Sequence, residues 1–570
     1  VVLYGYYVDE HVMKIPHIDP KVQFNVLNPL RGRRQLVAVS LGCHALGACL
    51  PHPVMNDAYS IVAGASKRIA CQKPPFNPDL VSEVEAFVDE WCDLYVQPLA
   101  HDSDLSVESW LPKTAYTQEK QQQLLQTAYA ARPKRWQDMK SFIKDEFYDD
   151  FKPPRTINSR SDWFKTQVGP IFKLIEEQVF ELPFFIKHVP AANRVDHLIS
   201  QIEMLASETD ETDYTSFEAH FKKIVLKCIP HRVYRRYVQK LLSRMSVKLF
   251  ISYLENVIEG RQKLYFAKII IDLIEAEMSG EMSTSLTNSI TNCILYAWLM
   301  KKKHGRPASV CRGVFEGDDG INSREPHERL SSEDFSQVGF ELKMKTSTDI
   351  SGTDFCGLVF DTQERIPATD VVKAYVKFGW GFGAFISANR TRKLELLRAK
   401  SYSMLYQYTG CPVLHELAQY GLRVTKFISL DRFFRRNRAV RSYDMEWYRE
   451  AYAKRAQYEN VVMTQCPRTR AVIQARFGLS IAEQEAAESY LRTLNVLQPL
   501  DAIDRMWFNR SWVKNDLDYV KTIKRADLVL GRHPDLPVFS RFDNFGQAWW
   551  DEHGSQVKNG QVSGRSVFGL

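Results

Sequence analysis

The sequence has no Cys-x-x-Cys pair, no long apolar run, no secretory signal, no internal repeat and no low-complexity tract. Each absence excludes something. The ten cysteines (Cys43, Cys49, Cys71, Cys92, Cys228, Cys293, Cys311, Cys356, Cys411 and Cys466) are scattered, which argues against a disulfide framework and suits a reducing compartment. Cys43-His44 with Cys49 and His52 offers thiols and imidazoles for zinc, but the spacing fits no strong zinc template. Without a run of about 18 apolar residues, nothing is expected to span a bilayer. Charge of one sign is also scarce. Lys and Arg total 75 against 68 Asp and Glu, and the resulting +7 permits a polyanionic partner without demanding one. The first residue is Val1 rather than Met, so a fragment, a processed product or an incomplete reading frame is expected.

What is present is a well-packed globular composition, 45% hydrophobic and 12% aromatic. At 570 residues it exceeds what one core usually holds. The chain is organised around Gly317-Asp318-Asp319, within Val310-Cys-Arg-Gly-Val-Phe-Glu-Gly-Asp-Asp-Gly-Ile-Asn-Ser323. A β-prone run leads into a Gly-bounded acidic pair, which reads as a hairpin with two carboxylates at its tip. Adjacent carboxylates stay ionised together only beside cations, so the tip suits divalent metal. The same residues also make ordinary solvated turns, and the rest of the chain has to decide.

Residues 1–60 carry no chemistry that can be assigned, and from Ala65 to Ala131 the pattern is mainly helical. Lys140 to Arg160 reads as strand–turn–strand broken at Pro153-Pro154, with Lys144, Lys152, Arg155 and Arg160 recurring along it. Such a finger can present fixed cations to a triphosphate, with Glu146 holding one in place; a surface hairpin of alternating charge is the other reading. Asp213 stands at a predicted strand end before an amphipathic helix, and Glu218 lies five residues on; taken alone, helix capping is the simpler reading of this pair. Residues 222–278 are read as long amphipathic helices with a basic bias. Ser279-Gly280 is a flexible turn, followed by a helix to Lys301-Lys-Lys-His304, stopped by Gly305 and Pro307. Thr284, Asn288 and Asn292 recur every four residues on one face, suited to hydrogen-bonding a sugar and a base edge or to a helix–helix contact. Gly339–Thr346 alternates as a strand and offers Lys343 or Lys345 as proton donor or phosphate contact, and Ser351–Phe360 is a turn and apolar strand. Beyond about residue 366 the pattern is mostly helical, with an Arg- and Phe-rich cluster at 432–441 suited to RNA or to a solvated helix end.

The order of these parts closely resembles the RNA-dependent RNA polymerases of positive-strand RNA viruses, nearest the tombus-like and noda-like groups. The resemblance covers roughly residues 65–425. Its most specific elements are Ser279-Gly280 with Thr284 and Asn288 in S-G-x-x-x-T-x-x-x-N, and Gly317-Asp318-Asp319. It implies a helix-rich α+β right hand: an N-terminal extension at 1–64 packing on fingers and thumb, fingers at 65–205, palm at 206–225, a fingers insertion at 226–275, the second part of the palm at 276–365, and thumb with the C-terminal region at 366–570. The palm is expected to be an antiparallel sheet with helices.

By the same resemblance, Asp213, Asp318 and Asp319 are the metal and catalytic carboxylates, serving two ions of Mg²⁺ or Mn²⁺. Lys343 is the general acid, with Lys345 second. Lys144, Arg155 and Arg160 grip the triphosphate; Glu218, Ser279, Gly280, Thr284 and Asn288 read ribose and nascent pair; Phe355 and Cys356 hold the primer. The implied partners are RNA template, nascent RNA and ribonucleoside triphosphates. The family usually has Asp where this chain has Glu218, so sugar discrimination is where it departs. With no span of its own, the chain is expected to reach replication membranes in the host cytoplasm through another viral protein or a precursor segment. A reverse transcriptase-like palm enzyme and a non-catalytic RNA-binding protein are the alternatives.

Overall fold

The helix predicted after Ser279-Gly280 is α4, Thr284–His304. Labels here follow chain order for the elements that matter to the site: α1 (Ala58–Arg68), α2 (Asp162–Val179), α3 (Arg194–Ile202), α4, α5 (Arg390–Gln407) and α6 (Pro467–Phe477). The computed structural model describes residues 2–6, 17–27, 35–46, 51–148, 152–202, 208–274, 277–348, 350–437 and 443–500. The lysines Lys301, Lys302 and Lys303 occupy the last turn of α4, where the helix dipole favours positive charge. Gly305 then closes it at φ +71°, a left-handed conformation that costs glycine least, with its N–H donating to the Lys301 carbonyl at 2.9 Å. Leu286, Ile290, Ile294 and Trp298 of α4 are buried in the larger of the hydrophobic cores.

A four-stranded, wholly antiparallel sheet lies over α4. It is made of β6 (Glu208–Tyr214), β9 (Gly313–Glu316), β10 (Asp319–Arg324) and β11 (Leu342–Ser347), in the order β11-β6-β10-β9. β6 has the sequence ETDETDY, polar at nearly every position, yet Thr209, Asp210 and Thr212 are buried. Arg324 of β10 explains how. Its guanidinium donates to both oxygens of Asp210, at 2.6 and 3.0 Å, and to Glu208 at 2.6 Å, while the Thr346 hydroxyl donates to Asp210 at 2.6 Å. A buried carboxylate is tolerated only when paired and hydrogen-bonded in this way.

A five-stranded sheet follows the order β2-β8-β7-β4-β5, from β2 (Gln23–Val26), β4 (Met139–Ile143), β5 (Thr156–Arg160), β7 (Arg261–Tyr265) and β8 (Ile269–Ile274). β4 and β5 are the expected basic strand–turn–strand. The helical reading of 222–278 is corrected at its end: 261–265 and 269–274 pair as antiparallel strands, because the β-branched run Ile269-Ile270-Ile271 packs on a sheet face rather than along a helix.

A third sheet, β1 (Val2–Tyr4), β3 (Leu36–Ser40) and β12 (Trp380–Phe382), ties the N-terminal segment to the helical region after residue 366. Tyr6 also donates to the Lys152 carbonyl at 2.6 Å. No helix among the described residues is long and apolar enough to cross a membrane.

Candidate active site

The β9–β10 hairpin closes by pairing Glu316 with Asp319, leaving Gly317 and Asp318 as a two-residue turn. Gly317 has φ +65° and Asp318 is not left-handed, the sign pattern of a type II′ turn, which matches the strand twist and favours glycine first. α4 holds this turn from below: the Gly317 N–H donates to Ser289 Oγ at 2.8 Å, and Asn292 Nδ2 donates to the Gly317 carbonyl at 3.4 Å. Asn292 also accepts from the Tyr214 hydroxyl of β6 at 3.1 Å, so one helix registers both acidic strands. A Cβ at Gly320 would stand 2.6 Å from Thr212 Oγ1; glycine lets the two strands close there.

Register brings the acidic residues together. Gly320 pairs with Thr212 and Lys343 with Asp213, so Asp319 continues the ladder beside Asp213. Side chains directly opposite on neighbouring antiparallel strands share a face. Asp213, Asp319 and Lys343 therefore form one row at the end of the sheet, with Asp318 at the turn beside it, and all four are exposed. The Asp319 carboxyl is pushed up to about 7, first by desolvation and then by Asp318, with Asp354 and Asp213 adding to the rise and a hydrogen bond from the Cys356 thiol opposing it. A carboxylate raised by its own kind marks a place short of positive charge, and this donor set of three aspartates fits a hard divalent cation. Among the described residues, no three His, Cys, Asp or Glu side chains are drawn in tightly enough to ligate one ion.

The charge of Arg155 in the basic finger acts on Glu218, as that of Asp318 does. Lys144 Nζ lies 2.8 Å and Arg155 Nε 3.5 Å from Glu146, and the Lys144 N–H donates to the Arg155 carbonyl at 2.8 Å. Arg160 is placed differently from the expected triphosphate grip. Its side chain is 1% exposed and its donors are spent on Glu281 at 2.6 Å, Gln262 at 2.8 Å and the Gln137 carbonyl at 3.0 Å. A guanidinium so enclosed cannot reach a phosphate; it latches the finger to the loop that precedes α4.

In that loop Ser279 accepts from the Asn158 N–H at 2.8 Å, and Gly280 has φ +107° with room for no Cβ, since Asn158 O would stand 2.9 Å away. The Thr284 hydroxyl donates to the Met278 carbonyl at 2.8 Å, leaving only its lone pairs for a ligand. Asn288 Oδ1 is enclosed with no hydrogen-bond partner. Glu218 does not meet Asn288; it forms an ion pair with Arg68 of α1 at 3.8 Å. Lys345 is paired with Glu211 at 3.7 Å, whereas Lys343 makes no ion pair among the described residues. Phe355 is buried with Val314 and Ile321, and Cys356 and Gly357 form the turn of a tight hairpin at φ +54° and +78°.

Of the zinc-type residues, His44 is bonded to Ser40 and His52 to Asp145 and the Pro53 carbonyl, while Cys49 lies outside the described residues. In the Arg- and Phe-rich cluster Phe433 is buried and Arg436 pairs with Glu395 at 3.0 Å; residues 438–441 lie outside the described residues.

Sequence reasoning missed several contributors. Ser289, Arg68 and Arg324 act through partners far along the chain. So does Arg476 of α6, whose guanidinium donates to both oxygens of Glu211, at 3.0 and 2.8 Å, on the same face as Asp213. No local pattern marks them; Ser289, one residue after Asn288 of the Thr–Asn stripe on α4, offered the nearest signal.

A row of carboxylates and a lysine at a sheet end, clamped by a helix and near a cationic hairpin, has the chemistry that nucleotidyl transfer asks for, which is positioning and charge stabilisation rather than covalent attack. Residues 193–404, which hold all three aspartates and α4, match the sequence model of a family described as viral RNA-dependent RNA polymerase. The protein is an RNA-directed RNA polymerase, and its reaction is template-directed RNA synthesis. Among solved structures, the chain is similar to an insertion-loop deletion mutant of the RNA-dependent RNA polymerase of a human picobirnavirus, with 14% identity and a TM-score of 0.49 over 70% of this chain and 82% of that one. No curated protein matches it.

Proposed function

We propose that this polymerase works with two divalent ions, Mg²⁺ or Mn²⁺, held by Asp213 and Asp318 with Asp319 assisting. The observation that carries this is the register that sets Asp213, Asp319 and Lys343 in one row beside the Asp318 turn. When bound, the ions activate the RNA 3′-hydroxyl and neutralise charge on the departing pyrophosphate. Lys144 and Arg155, steadied by Glu146, bind the triphosphate. Lys343 holds the proton for the leaving group, a role that its freedom from ion pairing favours over Lys345. Ser279, Gly280, Thr284 and Asn288 read the nascent pair, and Glu218 shares in reading the sugar. Phe355 and Cys356 support the primer end. In this reading the fingers are 65–205 and 226–275, the palm 206–225 and 276–365, and the thumb with the C-terminal region 366–570, while 1–64 braces fingers and thumb.

The test is RNA extension by the purified chain on an RNA template with Mg²⁺ or Mn²⁺. Asp318→Ala should abolish it, and equal incorporation by wild type and variant would sink the assignment. Preference for deoxynucleotides would favour a reverse transcriptase, and metal-indifferent RNA binding a non-catalytic protein.

We further propose a place among the tombus-like or noda-like positive-strand polymerases, supported by the S-G-x-x-x-T-x-x-x-N and G-D-D pattern; a sequence tree of 193–404 that places it elsewhere overturns this. The working location is the host cytoplasm at viral replication complexes, reached through another viral protein or precursor segment. Flotation of this chain alone with lipid would count against it.

A further inference from the structure

The N-terminal part of the chain carries no recognisable chemistry, yet α1 reaches the nucleotide site from an unexpected side. Asp57 caps its start by accepting from the Ser60 N–H, and Lys67 and Arg68 fill its last turn, where cations are favoured. Gly64 lies against the finger: a Cβ there would stand 2.4 Å from the Pro154 carbonyl, beside Arg155. The helix is therefore packed directly under the phosphate-gripping strand–turn–strand. From this seat Arg68 Nη1 reaches Glu218 Oε1 at 3.8 Å.

Glu218 stands where the polymerases that the sequence resembles usually have Asp, whose side chain is one methylene shorter. A longer side chain has one more rotatable bond to fix and can place its carboxylate in more than one spot. The charges that act on it are Arg68 first, Asp318 and more weakly Arg155. Asp318 repels it, and Arg68 draws it toward α1. We propose that Arg68 is a positioning residue that takes up the extra length of Glu218 and fixes its carboxylate for reading the ribose 2′-hydroxyl, so that sugar discrimination in this enzyme depends on α1. This rests on the role given to Glu218 above. The chemistry is that of an aimed hydrogen-bond acceptor: a site built around a substrate hydroxyl rejects the analogue that lacks it only while the acceptor stays in place.

The experiment measures kcat and KM for a ribonucleotide and its 2′-deoxy analogue with the full chain, in wild type, Arg68→Ala, Arg68→Lys, Glu218→Gln and the double variant Arg68→Ala/Glu218→Gln. Arg68→Ala is expected to lower the ribo-to-deoxy ratio of kcat/KM about tenfold through the ribonucleotide KM, and Arg68→Lys to recover part of it. In the Glu218→Gln background the Arg68→Ala effect should vanish, because the residue acts through the carboxylate. An equal loss for both nucleotides would make Arg68 a phosphate contact or a structural support and overturn the proposal. So would an effect undiminished by Glu218→Gln. A wild type that incorporates neither nucleotide would overturn the assigned role of the whole site and this one with it; an active wild type with an unchanged ratio in Arg68→Ala overturns this role alone.

Discussion

Replacing Arg160 by Met separates a structural latch from a triphosphate grip. Arg160 and Glu281 are each 1% exposed at the side chain, with two guanidinium nitrogens on one carboxylate oxygen, at 2.7 and 2.6 Å. Arg160→Met leaves Glu281 enclosed without its counter-ion. Glu277 stands close by, its own carboxyl already raised by burial and by Glu281. Breaking one half of such a pair costs about 3–5 kcal/mol, while replacing both halves by apolar side chains of similar volume is often close to neutral. Arg160→Met/Glu281→Met should therefore regain most of the loss, short of roughly 1–2 kcal/mol for the partners abandoned at Gln262 and the Gln137 carbonyl. Thermal or urea unfolding of the two single variants and the double variant gives the comparison, and the nucleotide KM of the double variant completes it. A single variant as stable as wild type would refute the latch. A double variant that is stable but has a greatly raised KM would return Arg160 to the phosphate.

Glu277 gives a pH signature. Its carboxyl is raised from 4.5 to about 8, so the neutral form is favoured in the fold; the stability this contributes is complete below 4.5 and lost progressively until pH passes about 8. Thermal unfolding of wild type should decline across that window, and Glu277→Gln should flatten the decline. Asp319, raised to about 7, makes protons compete with cations: Mg²⁺ should raise the melting temperature more above that value than below it, and Asp319→Asn should remove the difference. Lys343→Leu should lower kcat by about a hundredfold or more while Lys345→Leu changes it little, since Glu211 already occupies Lys345; the reverse order in a single-turnover assay would exchange their roles.

How much of this was legible follows from the range of each interaction. α4 was readable almost to its ends, because its stop signal lies within the element: lysines in the last turn and a left-handed glycine after them. The hairpin carrying Asp318 and Asp319 was legible for the same reason, its turn chemistry being four consecutive residues. β6 was legible only at its C-terminal end, around Asp213. ETDETDY has no apolar alternation, and what makes it a strand is Arg324, more than a hundred residues further on. β7 and β8 were misread because a short apolar run next to basic helices carries no periodicity that separates helix from strand.

The same rule divides the site. The candidates that sequence could point to are those whose chemistry is local in spacing: an acidic pair in a turn, a polar stripe every four residues, cations flanking a proline break. The residues that were missed or misplaced are those whose role is set by a distant partner. Arg160 has the right charge in the right motif, but Glu281 is folded against it from the loop before α4, and a motif records the charge without recording what neutralises it. Arg68 has no motif at all and becomes informative only when α1 is seen against Glu218. A charged side chain near a polyanion site therefore acquires its function from its counter-ion: a cation with no ion pair among the described residues, such as Lys343, has donors to offer a ligand, whereas one enclosed with a carboxylate, such as Arg160, is committed to shaping the fold around it.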